Sequence, residues 1–551
     1  MTATAAVWLV EFELGGRVER YGTRAVVPVT AGGVHVVFRE GLAPVSFELA
    51  ADLGGGEIST AIKISADWLQ GIGRGGWAKL NAAFHLLEGG AGVLLRWIPG
   101  TPFESARVML RGVAEEVEYG GPAEDLVFTL KRTLFANSRP ILSPFAKVDD
   151  TTWVRTIGAG ILIDEKYRGA QYPRIYGYPG DSRVTAAAPY GVPVVASPAV
   201  IGQIRGQSAS QFVIADGPVE ALNVRIADYS ETPPVLEDCP VQLVADNLGR
   251  EISIVDFSAA GVLVATAGHA YHVGWGQAAG RGGGRLRSGG RAGVIRGLGE
   301  VVADLMASTG AEIREIDPRL DQWLIDTWIN EPDLAPWDWI SRELAPLCPF
   351  RLVEGRIGLA LRLFDWEAKP IDCVRRFDVA RGELDRVSRL KTRPGSSVVN
   401  QAIVEYKRDR MSSFTARYTL GSAPIVGDES RSAGSYRAGL SVQRRARPSI
   451  GDDGVRTKVY QSSAIWEPAT AALVARYKIA ELALAPVDMV YRGRVGLENE
   501  IDPCDPILIT DSEVGIFDRV LLVDRITPGP TDTIIAGVLL DDPTTRARTA
   551  L

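Results

Sequence analysis

The apolar positions of this chain change period several times along its length. From Trp8 the run WLVEFEL alternates, which places Trp8, Val10, Phe12 and Leu14 on one face of a β-strand with polar positions opposite. The runs VHVVFRE, PVSFELA, ISTAIKIS, VLLRWI, SARVMLRGVAEEVEYG and DLVFTLKRT follow, separated by Gly, Pro and Asp turns. Regular short strands of this kind predict a β-barrel or sandwich over residues 1–135, interrupted by one helix near Trp77–Glu88. From Asn137 Pro and Gly become frequent, in NSRPILSP, RIYGYPGD and YGVPVVASPAV, and predict extended segments and turns. Strands return between Gln211 and Val273, so residues 136–293 are expected to form a Pro/Gly-rich linker and a β-rich insertion module that ends in a Gly/Arg loop.

Beyond that loop the period turns helical. GLGEVVADLMASTGAEI carries Leu298, Val301, Val302 and Leu305 at helical spacing and stops at Gly310. RLDQWLIDTWIN is a second candidate helix, and APWDWISRELAP a third, with Pro336 suited to a first turn. CPFRLVEGRIGLALRLF reads as a hairpin around Glu354-Gly355, which completes an α+β module over 294–395. The region 396–551 opens with the strand VVNQAIVEYKRD and includes a polar segment, 411–454, expected as a long loop. PATAALVARYKIAELALAP, from Pro468 to Pro486, is the strongest helical segment, with Leu473, Tyr477, Ala480 and Leu484 on one face. The strands DMVYRGRVGLE, DPILITD, RVLLVDRITPG and TDTIIAGVLLDD then predict a second barrel-like domain. The expected fold class is mainly β with α+β, multidomain, and its two terminal β modules read as candidate distant copies.

Composition narrows the functional classes. The 551 residues are 46% hydrophobic and 23% charged, typical of a globular chain, with a net charge of −7. An acidic balance argues against a protein that grips nucleic acid over its whole surface. Cys239, Cys348, Cys373 and Cys504 form no CxxC pair and are expected as buried thiols. The N-terminal apolar run lacks a basic lead and is broken by Glu11 and Glu13, so it does not read as a signal peptide, and no stretch reaches the roughly 18 apolar residues of a membrane span.

Four stretches carry candidate chemistry. RGGGRLRSGGRAG, Arg281 to Gly293, contains no Lys, so it is not a P-loop, and Trp275 is its one aromatic neighbour; it reads as an inter-module loop. Gly297-x-Gly299 opens a helix but has Val302 where a dinucleotide fingerprint needs its third glycine. His269 and His272 form an HxxH pair with no evident third ligand, and no GxSxG is present. Trp323, Trp328, Trp337 and Trp339 lie among Asp321, Asp326, Glu331, Asp333 and Asp338, with Trp366 beyond. Tryptophans with carboxylates suit a polysaccharide cleft, which makes a cell-wall glycan hydrolase using 321–339 the alternative reading. No pair of carboxylates stands out from the rest, so packing of the tryptophans into a core is favoured. No catalytic, cofactor-binding or metal residue is assigned, and the chain is not read as an enzyme.

Three stretches resemble the baseplate hub, or tail-associated, proteins at the tail tip of long-tailed bacteriophages of the siphophage type. They are RVMLRGVAEEVEYGGPAEDLVFTLKRT, the helix ending in Ser-Thr-Gly before APWDWISRELAPLCPFRLVEGRIGL, and LENEIDPCDPILITDSEVGIFDRVLLVDRITPGPTDTIIAGVLLDDP. In the last, Cys504 stands where the family commonly has Gly. The resemblance implies two tail-tube-like β-barrel domains per chain and a homotrimer whose six barrels match a hexameric tube. It also implies a structural protein of the virion, made in the host cytoplasm. Its partners would be the distal tail protein, the tail tube protein, the tape measure protein and a tail fibre or receptor-binding protein, with DNA only in transit through the lumen.

Overall fold

The computed structural model describes residues 5–14, 17–50, 57–65, 87–119 and 125–133, short pieces between 140 and 284, and residues 293–408, 414–420, 456–483 and 487–540 apart from 310, 330, 332, 357, 389–390 and 393–397. The helix expected near Trp77–Glu88 lies almost wholly outside the described residues, as do His85, His269, His272 and most of the 137–198 region.

The first sheet has seven strands in the order Arg39–Glu40, Arg17–Gly22, Val7–Leu14, Ala91–Trp97, Arg107–Tyr119, Leu126–Thr133 and Glu57–Ile64. It curls until one short segment bridges both edges. Tyr21–Gly22 pairs parallel with Arg39–Glu40, and two residues further on Leu42 bridges antiparallel to Ile64. Trp8, Val10 and Phe12 point into the curl beside Leu94, Leu110 and Phe128, as the alternation predicts. Val7 and Leu9, on the outer face, are also buried, because a hairpin folds back over them and packs Val26, Val36 and Phe38 against Leu95 and Trp97.

The second sheet orders Arg375–Asp378, Pro506–Asp511, Ile516–Pro528, Asp532–Leu539, Val487–Arg494 and Leu384–Arg386. Its closure repeats that of the first. Arg375–Asp378 runs parallel to Ile507–Thr510, and the same segment continues into Leu384–Arg386, antiparallel to Tyr491–Gly493. Gly382, at φ +71°, turns the chain between the two pairings. Leu49–Ala50, from the N-terminal part, pairs with Arg525–Ile526 as an extra strand of this second sheet. The interiors of the two sheets merge into one apolar cluster that runs from Trp8 and Phe12 to Tyr491 and Ile526.

A second core lies between the sheets in sequence. The helix Leu298–Ala307 turns Leu298, Val301, Val302 and Leu305 inward, and the helical turns Pro336–Leu344 and the helix Pro468–Leu482 pack beside it. On the last helix the buried stripe is Ala471, Val474, Ala475 and Ile479, with Tyr477; Leu473 and Ala480 sit at its margin, and Leu484 is outside the described residues. In the hairpin Phe350–Leu363 the last pair is Gly355 opposite Gly358, so its turn comes slightly later than expected.

Three expectations change. RLDQWLIDTWIN is not a helix: Pro318–Gln322 forms a 3-10 turn and Thr327–Ile329 a strand paired with Arg174–Tyr176. Tertiary bonds hold this stretch extended, since Leu324 N donates to Thr470 Oγ1, Ile325 N to Arg296 O and Asp326 N to Ala464 O, and they override the helical spacing. Within 411–454, Phe414–Leu420 is a strand against Gln401–Arg408, with Tyr418 and Leu420 buried; 421–454 lies outside the described residues. The Gly/Arg stretch is paired where it is described, Gly282 with Val294 and Gly284 with Gly293.

One shared cluster and an exchanged strand make the two sheets a single cooperative unit. We expect one urea transition, with amide protection of Val7–Phe12 and Leu521–Ile526 lost together in hydrogen exchange. Two separated transitions would contradict this arrangement.

Candidate functional site

The candidate site is the joint between the two sheets, built from arginines of one and carboxylates of the other. Arg96, the penultimate residue of its strand, is fully buried and stacks over the Trp8 ring at 4.7 Å. Its Nε lies 3.5 Å from Glu498 Oε1, and its Nη2 donates to the Gly529 carbonyl. Glu498, also fully buried, accepts from Thr533 Oγ1 at 2.6 Å and Gly496 N at 3.0 Å. Arg107, on the neighbouring strand, donates to Asp502 Oδ1 at 2.7 Å and to the Ile501 carbonyl at 3.2 Å.

The Phe350–Leu363 hairpin supplies the third side. Arg356 Nε reaches Asp502 Oδ2 at 3.0 Å, and Arg362 spans Asp502 at 3.4 Å, Asp505 at 3.3 Å and Glu315 at 3.0 Å. Arg132 of the first sheet donates to Glu354 of the same hairpin at 2.5 Å. Burial pushes the carboxyls of Asp505 and Glu354 up, against the pull of the neighbouring guanidiniums. Burial also lowers the pKa of Arg96 and Arg107, offset by Glu498 and Asp502 respectively.

Two backbone devices bring the carboxylates to these positions. Gly496 sits at φ +90°, a conformation that favours glycine, and a Cβ there would push the Ile98 side chain aside. Asp502-Pro503-Cys504-Asp505 closes a turn through Asp505 N to Asp502 O at 3.1 Å, with Asp502 N on Asp505 Oδ2 at 2.8 Å. Pro at the second position and positive φ at the third define a type II turn, whose third position favours glycine. Cys504 occupies it at φ +74°, buried against Leu522 and Val538. The turn thus holds a non-glycine residue in a left-handed conformation.

The Trp/Asp segment is dispersed. Trp323, Trp339 and Trp366 are core residues, Trp323 packing on Tyr477 with ring centroids 5.0 Å apart. Trp337 is half-buried, and the Trp328 side chain lies outside the described residues. Asp326 is buried in a two-bond pair with Arg296, at 2.6 and 2.9 Å, and Glu331 pairs with Arg342 on the surface. Asp333 and Asp338 are exposed. Cys348 and Cys504 are buried, which pushes their thiols up, and Cys373, half-buried, is pushed up to about 11. Among the described residues no group of three or more His, Cys, Asp or Glu is placed to hold a metal ion. An open cleft of about 530 Å³ lies where Arg375–Asp385 crosses the second sheet. Its arginines are spent on carboxylates, Arg492 on Asp532 and both Arg375 and Arg494 on Glu500.

Sequence reasoning passed over the joint. Its one signal is the lone Arg inside VLLRWI and the acids that bracket Pro503, charges set within otherwise apolar runs.

No protein-family model matches the sequence, and no curated protein matches it significantly. Among solved structures the chain is similar to the 43 kDa tail protein of prophage MuSo2 from Shewanella oneidensis, with 8% identity, coverage of 97% of this chain and 99% of that one, and a TM-score of 0.39. It is similar to a tail protein from Neisseria meningitidis MC58, at 9% identity, 97% coverage of both chains and TM-score 0.38. A chain of the virion of a native gene transfer agent particle matches 72% of this chain and 90% of its own length, at 12% identity and TM-score 0.40. At these scores the likenesses carry no functional argument, which rests on the chain's own residues.

Removing one partner of the Arg96–Glu498 pair leaves a buried charge uncompensated, so Arg96→Met or Glu498→Leu alone is expected to cost about 3–5 kcal/mol in urea unfolding. The double variant recovers most of that loss, and additive losses would contradict the pairing. At the turn, Cys504→Gly relieves a left-handed residue worth about 1–2 kcal/mol and stays near parental stability, whereas Cys504→Val unfolds at clearly lower urea.

Proposed function

We propose that this chain is a structural baseplate hub protein at the distal end of a phage tail or a related particle, forming a homotrimeric ring. The carrying observation is that one chain holds two curled β-sheets, closed by the same device and locked to one another by buried charge. Two barrel-like units per chain in a trimer present six, which allows a threefold part to meet a sixfold tube. Closing each sheet on itself protects its edges from unwanted pairing, as a subunit in a crowded assembly requires. In this reading the ring joins the tail tube and the distal tail protein to host-facing fibres, and gates passage of DNA. The net charge of −7 suits a conduit, because retention of phosphate comes from Lys and Arg. The N-terminal module 1–135 and the second curled sheet, 375–386 with 487–539, are proposed as the tube-like units, with 136–293 and 421–454 as contact regions.

The reading needs no active site. The hydrolase alternative has less support, since Trp323, Trp339 and Trp366 are in the core and offer a sugar no stacking face.

Solution mass with negative-stain imaging tests the hub. The expected result is a threefold ring of about three times 59.3 kDa, formed alone or on addition of tail tube protein. A monomer under both conditions that clears cell wall in zymography, with clearing lost in Asp333→Asn and Asp338→Asn, would overturn it.

A further inference from the structure

The chain between residues 178 and 292 leaves the second core and returns to it at one place, the extended stretch 323–329. The entering strand, Arg174–Tyr176, pairs with Thr327–Ile329. Tyr176 is buried in the second core, and its hydroxyl donates to Asp304 Oδ2 at 2.6 Å, beside Arg174 Nη2 at 3.0 Å. The returning chain lies along the other half of the same stretch. Ile325 N donates to the Arg296 carbonyl at 2.9 Å, Leu298 N donates to the Trp323 carbonyl at 3.0 Å, and the Arg296 guanidinium holds the Asp326 carboxylate. Gly177 N donates to the Ile295 carbonyl at 2.9 Å, so the two crossings touch each other.

Beyond the crossings the strands pair among themselves. Val200–Ile204, Ala209–Asp216, Val241–Ala245 and Glu251–Asp256 form one sheet with Ile161–Leu162 at its edge, and Asn223–Asp228, Val235–Cys239 and Trp275–Gln277 form another. Among the described residues no strand of these two sheets pairs with a strand of the curled sheets or of the Phe350–Leu363 hairpin. Asp216 N donates to the Pro173 carbonyl, next to the entering strand, at 2.9 Å. We infer that residues 178–292 are an appended unit, seated by both crossings on 323–329, whose folding is separate from that of the core. Stability in a protein follows cooperative blocks of contiguous pairing, and the pairing here is closed within the unit. The cost of closing a loop rises only with the logarithm of its length, so crossings held by their own bonds stay in place when the chain between them unfolds. A partner that pulls on or remodels the unit then acts on it alone and leaves the charged joint untouched.

Ile254→Pro in the full chain tests this, read by hydrogen exchange with mass spectrometry. Ile254 lies on the central strand of the larger sheet, opposite Val213 on one side and Gln242 on the other, where a proline removes a ladder bond. Ile254→Val, which keeps every amide, is the control. The expected result is exchange about a hundredfold faster across Ala209–Asp216 and Val241–Ala245, the scale of a proline inside a regular element. Rates across Leu298–Ala307, Val7–Phe12 and Leu521–Ile526 are expected to stay within about threefold of the parental ones. Protection lost in those three elements together with the unit would overturn the inference, since unit and core would then be one cooperative structure. Protection kept across Ala209–Asp216 despite the proline would overturn it too, because the pairing that closes the unit on itself would not exist.

Discussion

A guanidinium buried against a carboxylate, Arg107 on Asp502, fixes how the two halves of this protein meet. Two charges taken out of water are costly, and their attraction offsets that cost only when geometry is good and the remaining donors and acceptors are satisfied. Here Asp502 takes three arginines, from the first sheet and from the Phe350–Leu363 hairpin, while its own amide is held by Asp505. Arg107 Nε and Arg362 Nε have no hydrogen-bond partner, but the bonds to Asp502 form in one relative placement of the three parts and are lost in any other. Apolar burial alone would tolerate sliding; the ionic joint does not.

Around that joint the two sheets use a common solution to a common problem. A curled sheet has two edges, each a row of unpaired amides and carbonyls. In both sheets a single segment crosses from one edge to the other, parallel to the first and antiparallel to the second. The corner at Gly382 and the segment Arg39–Leu42 thus do equivalent work in parts of the chain with no visible sequence repeat. The repetition lies in topology, where spacing in the sequence does not register it.

Much of the strand content was legible because alternation is a local property. Trp8, Val10 and Phe12 face inward as their spacing requires, and the Leu298–Ala307 helix buries the residues its period selects. RLDQWLIDTWIN was misread because its amides are claimed by Thr470, Arg296 and Ala464, partners that no window of neighbouring residues contains. Phe414–Leu420 was hidden inside a polar stretch although Phe414, Ala416, Tyr418 and Leu420 alternate. The joint was illegible for a deeper reason. An Arg in an apolar strand signals that a buried acid exists somewhere, and only the fold brings Glu498 to Arg96 and Asp502 to Arg107.

Arg96 and Glu498 lie 402 positions apart, and Leu49–Ala50 completes a sheet whose other strands come from the last third of the chain. A ribosome adding about 5–20 residues per second needs roughly 20 to 80 seconds to cover that distance. Through that interval Arg96 and Arg107 lack the counter-charges that the finished joint supplies. The finished unit therefore forms only near the end of synthesis. A truncated product would keep those arginines in water, unable to make the joint on which a complete subunit depends.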